Sequence, residues 1–475
     1  MYSVAPLNDK RIILIITCMA AWITPFLGAS INIALPAVNS DFGVTDQALI
    51  EWVVTGFLLS AAVFVVPFGR IADIFGRKTI FGLGLLVIIV SSLLCSVSNS
   101  ILMLIAARVI EGLGSAMIFG TSMAILTSVY PPNQRGKVLG INVAIVYLGL
   151  SAGPVIGGII TQYLGWRYIY AGITVYTLIV SLLVLLLVKE EWRCAETGKF
   201  DILGTILYGA MLFSLIYGLA QVPDISGAYL IGVSILIMIA FFWWELRHKN
   251  PVVKVGIFRN NHVFVFSNIA ALINYSATFA VAFLLSLYLQ YTKGLEPQTA
   301  GIILIVAPIV QAVFSPLTGK LSDRIEPRIV ASAGMGLCII GLAVFALLTP
   351  ETPLYMIVAG LGFMGLGFAL FSSPNTNAIM SSVEKCDYGV ASGMVSTMRL
   401  IGQMMSLGIA MLTFSIIMGH TEIAQDHSQL MSSIHIAFAI FAALCVIGLG
   451  FSMIRGNVRK VPVQPIARSA DGPKS

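Results

Sequence analysis

The sequence predicts an all-α polytopic membrane protein of two related six-helix halves, with two further membrane helices inserted between them in the sequence. Its 475 residues are 58% hydrophobic and only 10% charged, whereas a soluble domain carries about 25% charged residues. Long stretches contain no charge at all, as a hydrocarbon environment requires. A charged ten-residue segment at 69–78 also returns in degraded form at 319–328, each copy between two apolar stretches. A duplicated membrane domain accounts for all three observations.

Apolar windows long enough to cross a bilayer, about 20 residues each, predict fourteen spans. They lie at 12–36, 48–69, 79–98, 101–127, 138–161, 166–188, 202–221, 228–246, 263–292, 298–318, 329–348, 353–379, 389–418 and 432–454. The first window follows Lys10 and Arg11 and is longer than the roughly 7 to 15 apolar residues of a signal peptide. We therefore expect it to be a retained membrane helix.

Further landmarks of the two halves recur at a spacing of 253 or 254 residues. The matching pairs are Ser128 and Ser382, Gly136 and Gly389, Gly140 and Gly393, and Gly149 and Gly402. Six spans in each half account for twelve of the fourteen, so the pair at 202–221 and 228–246 is interpreted as an insertion. The expected divisions are an N-terminal half at 1–188, linkers with the inserted helices at 189–262, a C-terminal half at 263–454 and a tail at 455–475.

Lys and Arg are concentrated in alternate loops, including 70–78, 135–137, 189–199 and 247–259. The opposite loops carry mainly acids. Because positive residues stay on the cytoplasmic side, both termini are predicted to be cytoplasmic and the protein is expected in the plasma membrane. The same clustering explains the net charge of +6 without a nucleic acid partner.

Two motifs connect this pattern to a known family. The residues of the charged loop are Gly69, Asp73, Gly76 and Arg77, with Asp323 and Arg324 in the second copy. The loop resembles that of the major facilitator superfamily, and the resemblance extends from about Arg11 to Arg455. In span five, Gly149, Gly153, Pro154, Gly157 and Gly158 resemble the antiporter motif of export families. Fourteen spans with a central pair resemble the fourteen-helix branch of drug:proton antiporters.

This resemblance implies the major facilitator fold, whose halves rock around a site near the middle of the bilayer. Asp73 can pair with Arg77, one turn on, if the loop continues helically. The resemblance also implies that Asp73 faces the start of a helix near Gly389, in the other half. Internal symmetry implies the reciprocal contact of Asp323 with the helix start near Gly136. Because free backbone N–H groups there attract a carboxylate, we expect both contacts to stabilise the outward-facing state.

Arg108 and Glu111 lie inside the fourth span, three residues apart and therefore on one helical face. Their segment is similar to the Arg-x-x-Gln-Gly motif of the superfamily, with Glu in place of Gln. An ionisable group within a membrane helix is by default a functional hypothesis, because its insertion is costly. Two interpretations remain open: Glu111 carries the coupling proton, or it only neutralises Arg108.

Polar residues elsewhere in the spans are candidates for a substrate cavity. They are Asn32, Asn142, Tyr147, Asn274, Gln311, Asn375, Arg399 and Gln403. Many fourteen-helix exporters carry an Asp in the first helix, where this chain has Gly28. Since Arg108, Glu111 and Arg399 sum to +1, the sequence favours neutral, zwitterionic or anionic substrates over lipophilic dications. The alternative is that many of these residues form bonds between helices.

Other classes of function find little support in the sequence. No G-x-x-x-x-G-K-[ST] loop occurs, which argues against ATP hydrolysis in this chain and leaves a proton gradient as the expected energy source. No enzymatic activity and no cofactor are expected. The histidines lack the spacing of metal ligands. The six cysteines fall mostly in apolar spans without a C-x-x-C pair, so we expect free core residues rather than disulfides.

The favoured hypothesis is a proton-coupled secondary exporter of small organic molecules that acts as a monomer in the lipid bilayer. The first alternative is a narrow-specificity transporter of an organic anion or metabolite, suggested by the missing acid of the first helix. The second is a membrane scaffold or sensor that retains the fold without flux.

Overall fold

The computed structural model describes residues 7–43, 47–194, 200–248, 251–253, 255–418 and 427–458. Most of the expected tail lies outside these ranges. The helices are α1 (Leu7–Phe42), α2 (Gln47–Phe75), α3 (Arg77–Ser96), α4 (Ile101–Val129), α5 (Pro132–Tyr163), α6 (Arg167–Leu187), α7 (Ile202–Ala220), α8 (Ile225–Glu245), α9 (Val255–Asn260), α10 (His262–Thr278), α11 (Val281–Leu287), α12 (Pro297–Leu304), α13 (Val306–Ser322), α14 (Pro327–Ala346), α15 (Leu354–Ser381), α16 (Tyr388–Met418) and α17 (His427–Ile454). No strand occurs in the described ranges, so the all-α prediction is confirmed.

The prediction of fourteen spans is also confirmed, because fourteen helical stretches are long and apolar enough to cross a membrane. Two of them are interrupted. The stretch predicted at 263–292 breaks between α10 and α11, where the backbone N–H of Ala280 donates to Ser406 Oγ at 2.9 Å. The stretch predicted at 298–318 breaks between α12 and α13. There Pro308 has no N–H to donate to the carbonyl of Leu304, so the regular helical ladder cannot continue.

Helices of the same half pack closely on one another. In the N-terminal half α1 packs on α5, and α4 packs on both α2 and α3. In the C-terminal half α14 packs on α15 and α17, while α10 packs on α16. The two halves meet mainly where α5 contacts α13 and where α2 contacts α16. These two contacts are related by the internal repeat.

The inserted helices α7 and α8 form a hairpin against the gap between the halves. Gly218 and Gly227 allow the two helices to approach closely, since a Cβ on Gly218 would lie 3.1 Å from the Gly227 carbonyl oxygen. Helix α7 contacts both α2 and α16. The hydroxyl of Tyr208 shares a buried hydrogen bond of 2.9 Å with Thr397 Oγ1 of α16.

The expectation that all cysteines are free is wrong for two of them. Cys194 in the linker and Cys386 before α16 form a disulfide. Sequence spacing gave no indication of this pair because 192 residues separate its members. The other four cysteines, Cys18, Cys95, Cys338 and Cys445, are free and buried.

Candidate functional site

The halves are joined at the end of α2, on the side predicted to be cytoplasmic, through the carboxylate of Asp73. This side chain is fully buried and accepts hydrogen bonds from Gly389 N at 3.0 Å and Val390 N at 3.3 Å. Arg77 holds it from the other side, with Nε 2.9 Å from Oδ1. The expected contact is therefore present: an ion-paired carboxylate caps the first turn of α16, where free N–H groups and the helix dipole favour negative charge.

Arg77 also connects the loop to both halves. Its guanidinium donates to Ser128 Oγ of α4 at 2.5 Å and to the carbonyl oxygen of Lys385 in the C-terminal half. Gly76 forms the turn between α2 and α3 with a φ of 123°, a backbone conformation that residues with a side chain rarely adopt. The carboxylate of Glu191 caps the start of α3, accepting from Lys78 N at 2.8 Å and Thr79 N at 3.1 Å.

The second copy of the loop makes the reciprocal contact. Asp323 accepts from Gly136 N at 2.7 Å and from Lys137 N at 2.9 Å in the first turns of α5. Its neighbour Arg324 is exposed. The two aspartates thus bind equivalent helix starts in opposite halves, as the internal repeat predicts.

Glycines bring the backbones together beside both aspartates. A Cβ on Gly69 would overlap the carbonyl oxygen of Gly389, and one on Gly136 would overlap that of Gly319. Each contact therefore requires the absence of a side chain. The ends of the halves that carry these loops are closed in this conformation.

A cavity of about 450 Å³ lies between the halves on the other side of these contacts. Its walls come from the middle and outer parts of α1, α2, α5 and α16, together with Phe279 at the break between α10 and α11. Leu219, Ala220 and Val222 complete the wall at the outer end of the inserted hairpin. The described lining is largely apolar, with aromatic, methionine and leucine side chains.

Four of the eight predicted cavity residues line this space. They are Asn32, Tyr147, Arg399 and Gln403. The other four are buried away from the described lining. Asn375 joins helices of the C-terminal half, donating to Ser267 O at 3.0 Å and accepting from Arg455 at 2.5 Å. Asn142, Asn274 and Gln311 each have a buried amide nitrogen without a hydrogen-bond partner in the described structure.

Arg108 and Glu111 form a fully buried ion pair of 2.6 Å inside the N-terminal half. Ser92 Oγ donates to the second carboxylate oxygen at 2.6 Å, and Arg108 Nε donates to Val53 O at 3.0 Å. The guanidinium lies 4.2 Å from the ring centroid of Phe57. Because Phe57 lines the cavity, a single aromatic ring separates the ion pair from that space.

The glycines of the predicted antiporter motif form a bare face of α5 against α1. A Cβ on Gly153 would lie 2.6 Å from that of Ala29, and one on Gly157 would lie 2.7 Å from that of Ser30. Gly149 approaches the carbonyl of Trp22 in the same way, at 2.7 Å. Gly158 has only the Ile33 side chain nearby, at 3.5 Å, and Pro154 lies within the helix. The motif thus fixes how α1 and α5 pack beside the cavity.

Sequence reasoning missed the cavity residues that carry no polar group. Phe57 and Phe119 looked like ordinary apolar residues of membrane helices, and Leu219 lies in the insertion. A pattern of apolar residues cannot distinguish a lining residue from one that faces lipid, since both are apolar on a membrane helix. Only the placement of the inserted hairpin reveals the role of Leu219.

Known proteins resemble this chain in sequence and in fold. A family model described as Major Facilitator Superfamily matches residues 17–256 and 267–473. The riboflavin transporter RibZ of Clostridioides difficile (strain 630) is 29% identical over 446 residues, covering 93% of this chain and 97% of that protein. The multidrug resistance protein Stp of Mycobacterium tuberculosis (strain ATCC 25618 / H37Rv) is 29% identical over 415 residues, covering 86% of this chain and 76% of that protein.

Solved structures show the same fold at low sequence identity. The human organic anion transporter MFSD10 has a TM-score of 0.66 at 13% identity, covering 93% of this chain and 99% of its own. The proton:xylose symporter XylE has a TM-score of 0.66 at 14% identity, covering 95% and 96%. The family model, the fourteen apolar helices and the two charged loops agree. The chain belongs to the Major Facilitator Superfamily and is a multi-pass membrane transporter of its fourteen-span branch.

Proposed function

We propose that this transporter is a proton-coupled exporter of small organic molecules that works by alternating access. The observation that carries the proposal is the buried pair of Arg108 and Glu111, which lies one aromatic ring from the cavity. A carboxyl group in this position is able to bind a proton without direct contact with the substrate. Arg108 then has a counter-charge while Glu111 is ionised and loses it when Glu111 is protonated.

The ring of Phe57 lies between the cavity and the ion pair, so it can connect substrate binding with protonation. It packs on the guanidinium of Arg108 from one side and faces the cavity on the other. A substrate that displaces the ring weakens the cation–π contact and changes the environment of the ion pair. Protonation of Glu111 likewise releases Arg108 from its 2.6 Å bond. Substrate binding and protonation of Glu111 therefore both change the contacts of the Arg108 guanidinium.

The relatives of the chain support export as the direction of transport. The closed ends of the halves represent one state of the transport cycle, which exporters and importers share. Multidrug resistance proteins are among the relatives of the chain. An exporter exchanges inward proton movement for outward substrate movement.

Flux measurements in proteoliposomes with an imposed pH gradient test the proposal. We expect uphill substrate movement that collapses with a protonophore and stays unchanged with a sodium gradient alone. A panel of aromatic compounds of different charge and size determines whether the range is broad or narrow. Flux that is independent of the pH gradient would contradict proton coupling, and no flux for any member would contradict export of such compounds.

A further inference from the structure

The cavity contains one charge. Among its described lining residues, Arg399 alone is ionic. Arg108 and Glu111 neutralise each other behind Phe57, so they add no net charge to the space. Gly28, at the position of the missing first-helix acid, also lines the cavity.

Arg399 has no acidic partner in the described part of the chain. Its guanidinium lies 4.9 Å from the ring centroid of Phe119, and no described carboxylate is within salt-bridge distance. The residue is 8% exposed. A cation buried in a membrane protein without a counter-ion is costly, and a cation–π contact recovers only part of that cost.

The other described polar side chains that line the cavity are neutral. Tyr147 is one of them. The side chain of Gln403 lines the same space. Thr24 also lines the cavity, and its buried hydroxyl lacks a hydrogen-bond partner in the described structure. Hydroxyl and amide groups can donate to an anion, and Arg399 is the one charge among the described lining residues, so the cavity suits an anion better than a cation.

We propose that the substrates are organic anions whose carboxylate, sulfonate or phosphate group binds Arg399 while an apolar body packs against the aromatic wall. This inference rests on the proposed function in that the cavity is taken as the transport site. The anion supplies the counter-charge that the protein lacks. The volume of about 450 Å³ suits a drug-sized molecule.

Binding of xanthene dyes to the purified protein tests this inference, because one ring system is available as anionic fluorescein and cationic rhodamine 123. We expect fluorescein to bind more tightly, by ~10- to 100-fold for a charge-assisted contact. Arg399→Gln should abolish this preference and Arg399→Lys should retain part of it. Lys293→Gln, which removes a cation that bonds to the Pro350 carbonyl at the outer surface, is the matched control and should leave it unchanged.

Equal or tighter binding of the cation, no binding of fluorescein, or an unchanged preference in Arg399→Gln would overturn the inference. Measuring the flux of both dyes distinguishes a failure of the anion site from a failure of the proposed export. If fluorescein binds through Arg399 but is not moved by a pH gradient, proton-coupled export fails and the anion site stands. If rhodamine 123 is exported and fluorescein is not, export stands and the anion site fails.

The disulfide carries a second, independent inference. Cys194 N donates to Asp73 O at 2.8 Å, so this residue belongs to the closed gate of the N-terminal half. Cys386 directly precedes Asp387 and the helix start that Asp73 caps. The bond between them therefore crosses from one half to the other at the contact that must separate for the cytoplasmic side to open. Both cysteines are partly exposed, and the loop charges predict that they face the cytoplasm.

We infer that this disulfide is a redox switch that holds the cytoplasmic side closed when oxidised. Disulfides in the cytoplasm are rare and usually transient. A low-molecular-weight disulfide is the oxidant: one protein thiolate attacks it and releases a thiol, and the second protein thiolate then displaces the other thiol. The protein pair loses two electrons and two protons, and the small disulfide becomes two thiols. The reverse exchange opens the switch.

Hydrogen–deuterium exchange on the purified protein tests the switch without a substrate. After oxidation, with the bond verified by mass spectrometry, we expect exchange to slow several-fold at the start of α16 and also at the start of α5, near Gly136. Cys194→Ser should remove the effect of oxidation at both places. Cys95→Ser, which alters a free buried cysteine, should retain it.

The readout at α5 distinguishes a gate from a local effect, because that helix start is bound by Asp323 rather than by the disulfide segment. Slower exchange at α16 alone would reduce the disulfide to a local crosslink. Failure of the bond to form, or equal exchange in the oxidised and reduced protein, would also overturn the inference.

Discussion

Asp73 of the N-terminal half caps the helix that begins at Tyr388 in the C-terminal half, with both carboxylate oxygens 3.0 Å from Gly389 N. The symmetry-related contact of Asp323 with Gly136 measures 2.7 Å. The two differ in their surroundings. Asp73 is fully buried and paired with Arg77, whereas Asp323 is partly exposed. Charge-assisted bonds gain strength as water is excluded, so Asp73 is expected to contribute more to closure.

Asp73→Asn should shift the population toward the inward-facing state and slow turnover more than it weakens binding. The amide keeps one acceptor but loses the ion pair with Arg77, which removes about 1–3 kcal/mol from the closed state. A change of that size moves a two-state equilibrium substantially. Distances between spin labels at the exposed residues Phe75 and Glu384 measure the shift.

Asp323→Asn is the comparison that tests whether the buried contact of Asp73 contributes more to closure than the partly exposed contact of Asp323. We expect it to shift the label distances in the same direction but by less. Label distances and turnover that stay unchanged in Asp73→Asn would show that the loop is merely a solvated turn. A larger effect from Asp323 would contradict the role of burial.

Gly69→Ala should open the same contact by steric means. A new Cβ would overlap the carbonyl oxygen of Gly389, which is backbone and cannot rotate away. Gly82→Ala is the control, because nothing lies within 4 Å of a Cβ there. We expect increased cysteine labelling at the cytoplasmic end of the cavity in the first variant only. Equal labelling of both variants would show that the backbones tolerate a side chain.

The sequence predicts much of the fold and of the gate, because membrane helices and internal repeats leave direct signals. Apolar length predicts all fourteen spans. The family resemblance implied the contact of Asp73 with Gly389, and the internal repeat then implied that of Asp323 with Gly136. The breaks at Ala280 and Ile305 were missed, since they depend on a hydrogen bond from another helix and on one proline. The cavity was predicted only in part because a polar residue such as Asn375 serves equally well as a bond between helices.

Glu111→Gln should abolish uphill transport driven by a pH gradient while substrate exchange stays measurable. The amide preserves the shape of the side chain and its bond with Ser92 but cannot carry the proton. Flux in proteoliposomes with and without the gradient separates the two activities. Glu351→Gln, at an exposed turn between α14 and α15, is the control and should behave like the native protein.

Undiminished pH-driven accumulation in Glu111→Gln would contradict the role of Glu111 as the proton carrier.

Arg108→Ala should be more damaging than Glu111→Gln. It leaves the carboxylate buried without its ion-pair partner, and truncating one member of such a pair costs about 3–5 kcal/mol. We therefore expect lower yield of folded protein as well as lower flux.

Labelling of single cysteines should confirm the predicted topology. Asn133 precedes the capped turn of α5, and Asp224 lies in the turn of the inserted hairpin; both are exposed. A reagent that cannot cross the membrane should label Asp224→Cys in intact cells and Asn133→Cys only after lysis. The loop at 189–201 should behave like residue 133 and the loop at 419–431 like residue 224, although residues 195–199 and 419–426 lie outside the described ranges. The opposite pattern would contradict the predicted topology and place the closed ends of the halves on the outer side of the membrane.

The inserted hairpin should determine the size of the substrates, because Leu219 forms part of the cavity wall. Leu219→Trp adds a large ring to that space, so we expect weaker binding of large probes and little change for small ones. Val233→Trp is the control, since Val233 of α8 is 44% exposed on the outer surface of the hairpin. Tyr208→Phe should produce a different result: it removes the bond to Thr397 and should loosen the hairpin, raising the binding of large probes. Probes of graded size and equal charge measure both effects. Equal behaviour of Leu219→Trp and Val233→Trp would show that the hairpin only covers the gap between the halves and takes no part in selecting substrates.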